Sequence, residues 1–172
     1  MKWLSFNCRG LAISPKNLAL RILFESEPVE IIILQEMLGL VDHIYCVLQS
    51  LKPEWNFQSL DVMGRSGGLA LGFNPCTIHL KACWGGAGFI GMDNFSIYFG
   101  MDLRIVNIYG PFHNKEAFWN HLLNLSIINS DNIILGGDLN FSIGFGESWG
   151  TNSEVDPLSY IIEKFLEEHH LM

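Results

Sequence analysis

Asn132-Ile133-Ile134-Leu135-Gly136-Gly137-Asp138-Leu139-Asn140 opens as an apolar run and closes on two polar side chains. Three large aliphatic residues bounded by glycine suit a short buried strand, read here over residues 132–136. A buried strand holds its end rigidly, so Asp138 and Asn140 stand where a reactive group could be aimed. The same shape recurs upstream. Residues 3–7 read as a first strand that ends on Asn7, and residues 29–35, rich in isoleucine, read as a second that ends at Gln35-Glu36. Residues 103–109 end on Tyr109. Four strand ends therefore each carry a polar group.

Between these strands lie the other elements. Ser14-Pro15 predicts a helix start, because serine caps well and proline is tolerated at the first helical position; Leu18, Ala19, Ile22 and Leu23 follow at helical spacing. Val41, Ile44, Tyr45, Leu48 and Leu51 predict an amphipathic helix. Short strands are expected around Phe57 and over residues 69–73, 77–84 and 95–99, separated by glycine-rich turns that favour antiparallel hairpins. In residues 77–84, Ile78, Leu80 and Ala82 alternate with His79, Lys81 and Cys83, which predicts one wetter face. Asn114 is placed to cap a helix through Leu125, with Phe118, Trp119, Leu122 and Leu123 on its apolar side, and Asp156-Pro157 to start a last helix carrying Ile161, Ile162, Phe165 and Leu166. Helices at both ends with antiparallel strands between them predict one mixed α/β domain, not a doubly wound parallel one.

Composition bounds the function. The 172 residues are 49% hydrophobic and 12% aromatic, which points to a globular core and excludes a disordered chain. No apolar run is long enough to span a bilayer, and no basic-apolar leader precedes the first strand, so an intracellular protein, nuclear or cytoplasmic, is expected. Cys8, Cys46, Cys76 and Cys83 have neither zinc nor redox spacing and are expected to be reduced and packed as small apolar groups. Net charge is −8, and beyond Glu116 the one base is Lys164. A polyanion-binding face usually needs positive potential, so composition speaks against tight, autonomous DNA binding, and a divalent cation could offset the repulsion only locally.

The strand-end residues have a coherent chemistry. Glu36 and Asp138 are hard oxygen donors, and magnesium takes one or two carboxylates while keeping water and room for a phosphate. Asp138 could orient or deprotonate an attacking water. Asn7 and Asn140 offer amides that steer a phosphate oxygen or a carboxylate, and Tyr109 a hydroxyl. Each also has an ordinary reading: a lone acid at a strand end commonly caps a turn or is solvated, asparagine is common in turns, and tyrosine packs well in strands. On the residues alone, both readings stand.

Four strings narrow the choice. Ser5-Phe6-Asn7-Cys8-Arg9-Gly10, Leu34-Gln35-Glu36, Asn107-Ile108-Tyr109-Gly110-Pro111 and Gly136-Gly137-Asp138-Leu139-Asn140 resemble, in order and in spacing, the motifs of the endonuclease/exonuclease/phosphatase superfamily. Arg65-Ser66-Gly67-Gly68-Leu69-Ala70 resembles the strand that faces the site in that superfamily, and Glu147-Ser148-Trp149-Gly150 and Asp156-Pro157-Leu158-Ser159 are similar to its plant LINE-type retrotransposon branch. The resemblance implies a DNase I-like four-layer α/β sandwich, two mixed and largely antiparallel sheets flanked by helices, over residues 1–172. It implies Glu36 as the magnesium ligand (manganese being the alternative), with Asp138, Asn140, Tyr109 and Asn7 as catalytic residues. It further implies endonucleolytic nicking of DNA, beside a reverse transcriptase in the parent element. The family's final acidic and Ser-Asp-His motifs are not among these residues, so the domain is expected to lack its last strands. His169 and His170 lack that motif's context, and Arg9 and Leu38 stand where some relatives have Asp and Lys. An inactive remnant and a phosphatase or deadenylase of the same superfamily are the alternatives.

Overall fold

A computed structural model describes residues 1–11, 14–39, 41–60, 68–125, 128, 130, 132–142, 156 and 158–168. Of the strings read above, Arg65-Ser66-Gly67, Glu147-Ser148-Trp149-Gly150, Pro157, His169 and His170 lie outside the described residues. In chain order the elements are β1 (Trp3–Asn7), α1 (Ser14–Ser26), β2 (Ile31–Gln35), α2 (Val41–Leu51), β3 (Asn56–Leu60), β4 (Leu69–Phe73), β5 (Ile78–Gly86), β6 (Phe89–Ser96), β7 (Met101–Tyr109), α3 (Lys115–Leu123), β8 (Ile133–Asp138) and α4 (Ser159–Glu168). Two compact units result: Met1–Tyr109 with Asn132–Asp138, and Gly110–Asp131 with Leu139–Met172.

The first unit holds two four-stranded sheets, ordered β1-β2-β4-β3 and β5-β6-β7-β8. Each is mixed. β1 runs parallel to β2 and β7 parallel to β8, while every other pairing is antiparallel. Period-two alternation along β2 explains how the layers are glued. Ile31 and Ile33 join Leu69, Leu71, Phe73, Ile90, Met92 and Ile105 in the core between the sheets. Ile32 and Leu34 join Leu20 and Phe24 of α1 and Ile44 and Leu48 of α2 on the opposite face. A strand covered on both faces must be apolar throughout, which is why residues 31–34 are four consecutive aliphatics, all fully buried.

In the second unit, Trp119 and Leu122 of α3 and Ile162 and Phe165 of α4 are buried. The Trp119 ring meets Phe118 and Phe141 edge-on, at 5.5 and 5.0 Å between centroids. Lys115 Nζ lies 3.1 Å from Asp156 Oδ2.

Several expectations need correction. The inward face of α1 is Leu20 and Phe24, and Leu18 and Ile22 are exposed at 59% and 57%. Both pairs have i, i+4 spacing and sit on opposite sides of the helix, so periodicity could not choose between them. The strand expected over 95–99 is instead a hairpin: β6 ends at Ser96, pairs with Met101, and Gly100 N–H donates to Ser96 O at 2.8 Å. Ile97, Tyr98 and Phe99 favour strands by type but form the turn, and Phe89–Ser96, with strand-poor Gly91, Asp93 and Asn94, pairs on both sides. β5 has no clean wet face, since residues 79–83 are all exposed along a sheet edge with an irregularity between Leu80 and Ala82. Asn114 precedes α3 in a left-handed conformation without a side-chain cap bond, and α4 begins at Ser159 after Asp156 Oδ1 accepts Leu158 N–H. All four cysteines are free, but only Cys8 is buried. Among the described residues no helix is long and apolar enough to cross a membrane.

Candidate active site

Both parallel pairs end at the same rim of the first unit. Asn7 is registered against Gln35 across β1 and β2, and Tyr109 against Asp138 across β7 and β8. Parallel strands share a direction, so their carboxyl ends come out together, where open α/β sheets bind ligands. The β1–β2 ladder continues past the strands. Cys8, Gly10 and Leu11 N–H donate to Gln35, Glu36 and Met37 O at 2.8, 2.7 and 2.8 Å. That zipper holds Glu36 at φ +50°, with Arg9 and Leu38 also left-handed at φ +45°. Non-glycine residues adopt this region at a cost of roughly 1–3 kcal/mol each, met by the surrounding bonds.

Across the sheets, Asp138 is brought in by two glycines. A Cβ on Gly136 would stand 2.9 Å from Ile33 Cδ1, and Gly137 has φ +134° with its missing Cβ directed 1.9 Å from Ile108 O. The close approach of β8 to β7 therefore needs Gly137 bare, and at Gly136 a Cβ would have to push aside the end of the Ile33 side chain.

At the rim the side chains interlock. Asn7 Nδ2 donates to Glu36 Oε1 at 2.9 Å and to Asp138 Oδ2 at 2.7 Å. Tyr109 O–H donates to the same Glu36 Oε1 at 3.1 Å. Asn7 Oδ1 accepts Arg9 N–H at 3.1 Å, which turns the amide so that its NH2 faces both acids. The two carboxylate oxygens thus lie within two hydrogen-bond lengths of each other, and Asn7, Glu36 and Asp138 are each only half-buried. Glu36 Oε2 has no hydrogen-bond partner among the described residues. Two half-exposed carboxylates around one neutral amide concentrate negative charge that a divalent cation would offset. Among the described residues no three of His, Cys, Asp and Glu gather. Two carboxylates without imidazole or thiolate are a donor set that suits magnesium or manganese and not a closed zinc centre.

Four of the five residues expected from the sequence are therefore in mutual contact. The fifth, Asn140, belongs to the second unit, at φ +53°, with its Nδ2 donating to Gly110 O. Next to Asn7, burial pushes the Cys8 thiol up to about 12, opposed by the nearby charge of Lys16 and reinforced by Glu36. Cys8 is consequently a packing group, with no thiolate to offer near neutral pH. Two residues given no role from sequence also reach this region: Gln35 and Asn107 are buried and bonded to each other, Gln35 Nε2 donating to Asn107 Oδ1 at 2.9 Å. An amide inside an aliphatic strand run was the available signal for Asn107.

No family model and no curated protein matches the chain in sequence. Solved structures do match in fold. The AP endonuclease LMAP of Leishmania major aligns with a TM-score of 0.72 at 14% identity, covering 97% of this chain and 66% of that one. The endonuclease domain of TRAS1, a telomere-specific non-LTR retrotransposon, aligns at 0.66 and 14%, covering 97% and 71%. An endonuclease/exonuclease/phosphatase from Bacteroides vulgatus aligns at 0.64 and 14%, covering 81% and 66%. The chain thus spans just under two thirds of the first and third of these structures. With two mixed sheets flanked by helices and matches of this kind, the chain has the DNase I-like α/β fold of the endonuclease/exonuclease/phosphatase structures it resembles.

Proposed function

We propose that this chain is a magnesium-dependent phosphodiesterase that nicks DNA endonucleolytically, with Glu36, Asp138, Asn7 and Tyr109 as its working residues. The observation that carries the reading is the convergence of two carboxylates from different sheets on one asparagine amide. The fold likeness to an AP endonuclease and to a retrotransposon endonuclease domain supports DNA as the substrate. In the LINE-type setting that the motif strings resemble, the nick would serve a reverse transcriptase of the parent element, inside the cell.

Glu36 would hold the ion through oxygen, with manganese able to replace magnesium. The chemistry such an ion would supply there is neutralisation of charge on the scissile phosphate and on the departing oxygen. Asp138 orients a water and takes its proton as the water oxygen bonds to phosphorus. The P–O ester bond breaks on the far side, leaving phosphate on one fragment and, after protonation by solvent, a hydroxyl on the other. Asn7 keeps the two carboxylates apart and correctly turned, and Tyr109 holds Glu36 from the opposite sheet. Asn140 is assigned to the phosphate on the sequence resemblance alone.

The test is conversion of supercoiled plasmid to open circle by the purified chain. Nicking is expected with magnesium or manganese, none with chelator, and only a shallow dependence on added salt, since a chain of net charge −8 has little long-range attraction for DNA to be screened. A folded protein that leaves the plasmid supercoiled at millimolar magnesium would remove this reading. Release of phosphate from a mononucleotide instead of nicking would replace it with the phosphatase alternative.

A further inference from the structure

The layer between the two sheets becomes polar close under the site. Asn107, on the inward face of β7 and 0% exposed, donates Nδ2 to Leu34 O at 2.8 Å and to Ala70 O at 2.9 Å. Leu34 and Ala70 are register partners in β2 and β4, so one side chain of the second sheet grips two strands of the first. Gln35, 1% exposed, completes the group by donating Nε2 to Asn107 Oδ1 and, at 3.4 Å, to Ser5 Oγ of β1. Three strands of one sheet are tied to one residue of the other.

A leucine pair could fill this volume and would replace both partners of the Gln35–Asn107 bond, a change often nearly neutral for stability, while the Leu34 and Ala70 carbonyls would lose a side-chain donor. Filling the space alone does not require the amides. What they supply is direction. Aliphatic contact is non-directional and tolerates small sliding of one sheet over the other, whereas three bonds at 2.8–2.9 Å do not. The bonds fall where sliding matters most. Leu34 O lies two residues before Glu36, and Tyr109 lies two residues after Asn107, so its side chain leaves the same face of β7 and donates to Glu36. Asn107 sets the height of one sheet against the other, and Tyr109 uses that height one strand pitch later.

We propose that Asn107 and Gln35 form a positioning pair that fixes the Glu36 turn, and with it the spacing between Glu36 and Asp138, across the two sheets. Its consequence for rate rests on the phosphodiesterase reading; its consequence for the Glu36 turn does not.

The experiment compares full-length Asn107→Leu and the double variant Gln35→Leu/Asn107→Leu with Ile105→Val, which trims a fully buried residue on the same face of the same strand. Plasmid nicking (kcat and KM separately), urea unfolding and amide exchange at residues 35–37 are measured on each. Both Asn107 variants are expected to lose about 100-fold in kcat, the usual cost of misplacing a reactive group by an ångström. KM should stay within about threefold, since substrate contacts are untouched. Exchange at residues 35–37 should accelerate by about tenfold or more relative to the rest of β2. Ile105→Val should change neither. A kcat and a 35–37 exchange rate indistinguishable from those of Ile105→Val would overturn the proposal. If the wild type does not nick, the phosphodiesterase reading fails and the exchange rates decide the positioning role by themselves. If neither Asn107 variant folds, Gln35→Leu, which leaves both main-chain bonds of Asn107 in place, is read by the same exchange measurement; unchanged exchange there is equally fatal.

Discussion

Asp138→Asn is expected to slow plasmid nicking by about 1000-fold, within the range seen when a general base or an electrostatic stabiliser is removed. The substitution is almost isosteric, and its remaining carbonyl can still accept the bond that Asn7 Nδ2 now makes to Asp138 Oδ2 at 2.7 Å. What is lost is a charge and a proton acceptor. The fold should not suffer. Glu36 and Asp138 bring two acids to a single amide donor, and neutralising one relieves repulsion in a site held together for chemistry. The urea midpoint is therefore expected to hold or rise while activity collapses. Single-turnover rates beside equilibrium unfolding separate the two effects. A variant that nicks within about tenfold of wild type would take Asp138 out of the reaction.

Gly137→Ala is expected to destabilise the fold by about 4 kcal/mol, from backbone strain and overpacking together. Gly137 has φ +134°, a region that side chains with Cβ rarely adopt, and the added methyl would meet the Ile108 carbonyl at 1.9 Å. The obstacle is main chain, registered opposite Gly137 in the β7–β8 pair, so no rotamer change removes it. A loss of that size approaches the whole stability of many small domains, and the variant should be largely unfolded near 37 °C. Gly100→Ala is the matched control. It too has positive φ, at +66°, but nothing lies within 4 Å of its missing Cβ, so about 1 kcal/mol is expected. Equal urea midpoints for the two variants would show that β8 does not need this close approach.

Much of this fold was legible because four strand ends carry polar residues at the close of apolar runs. Four consecutive aliphatics at residues 31–34 suit a strand covered on both faces, and β1 ends on Asn7 as its apolar run predicts. Asn7, Glu36, Tyr109 and Asp138 could be nominated from their positions, but the expectation that they meet rested on the resemblance, since Asn7 and Asp138 are 131 residues apart and are joined only by the stacking of the two sheets. Legibility failed where two local signals were equal or where long-range pairing overrode type. Leu18/Ile22 and Leu20/Phe24 are equally periodic, and Gly91, Asp93 and Asn94 sit in a strand because partners on both sides demand it. Asn107 has no role legible in the sequence for the opposite reason: its strand is plain, and the purpose of a polar group inside it depends on which main-chain carbonyls the other sheet presents.

The account depends on Glu36 and Asp138 forming one divalent-cation site around Asn7. Calorimetric titration of the full chain with magnesium, in wild type and in Glu36→Gln/Asp138→Asn, tests it without reference to any substrate. One magnesium ion per wild-type chain is expected, with binding abolished in the double variant while its unfolding midpoint is retained, because both replacements keep the acceptors that Asn7 uses. Magnesium binding that survives intact in the double variant, or a folded wild type that binds none, would contradict it.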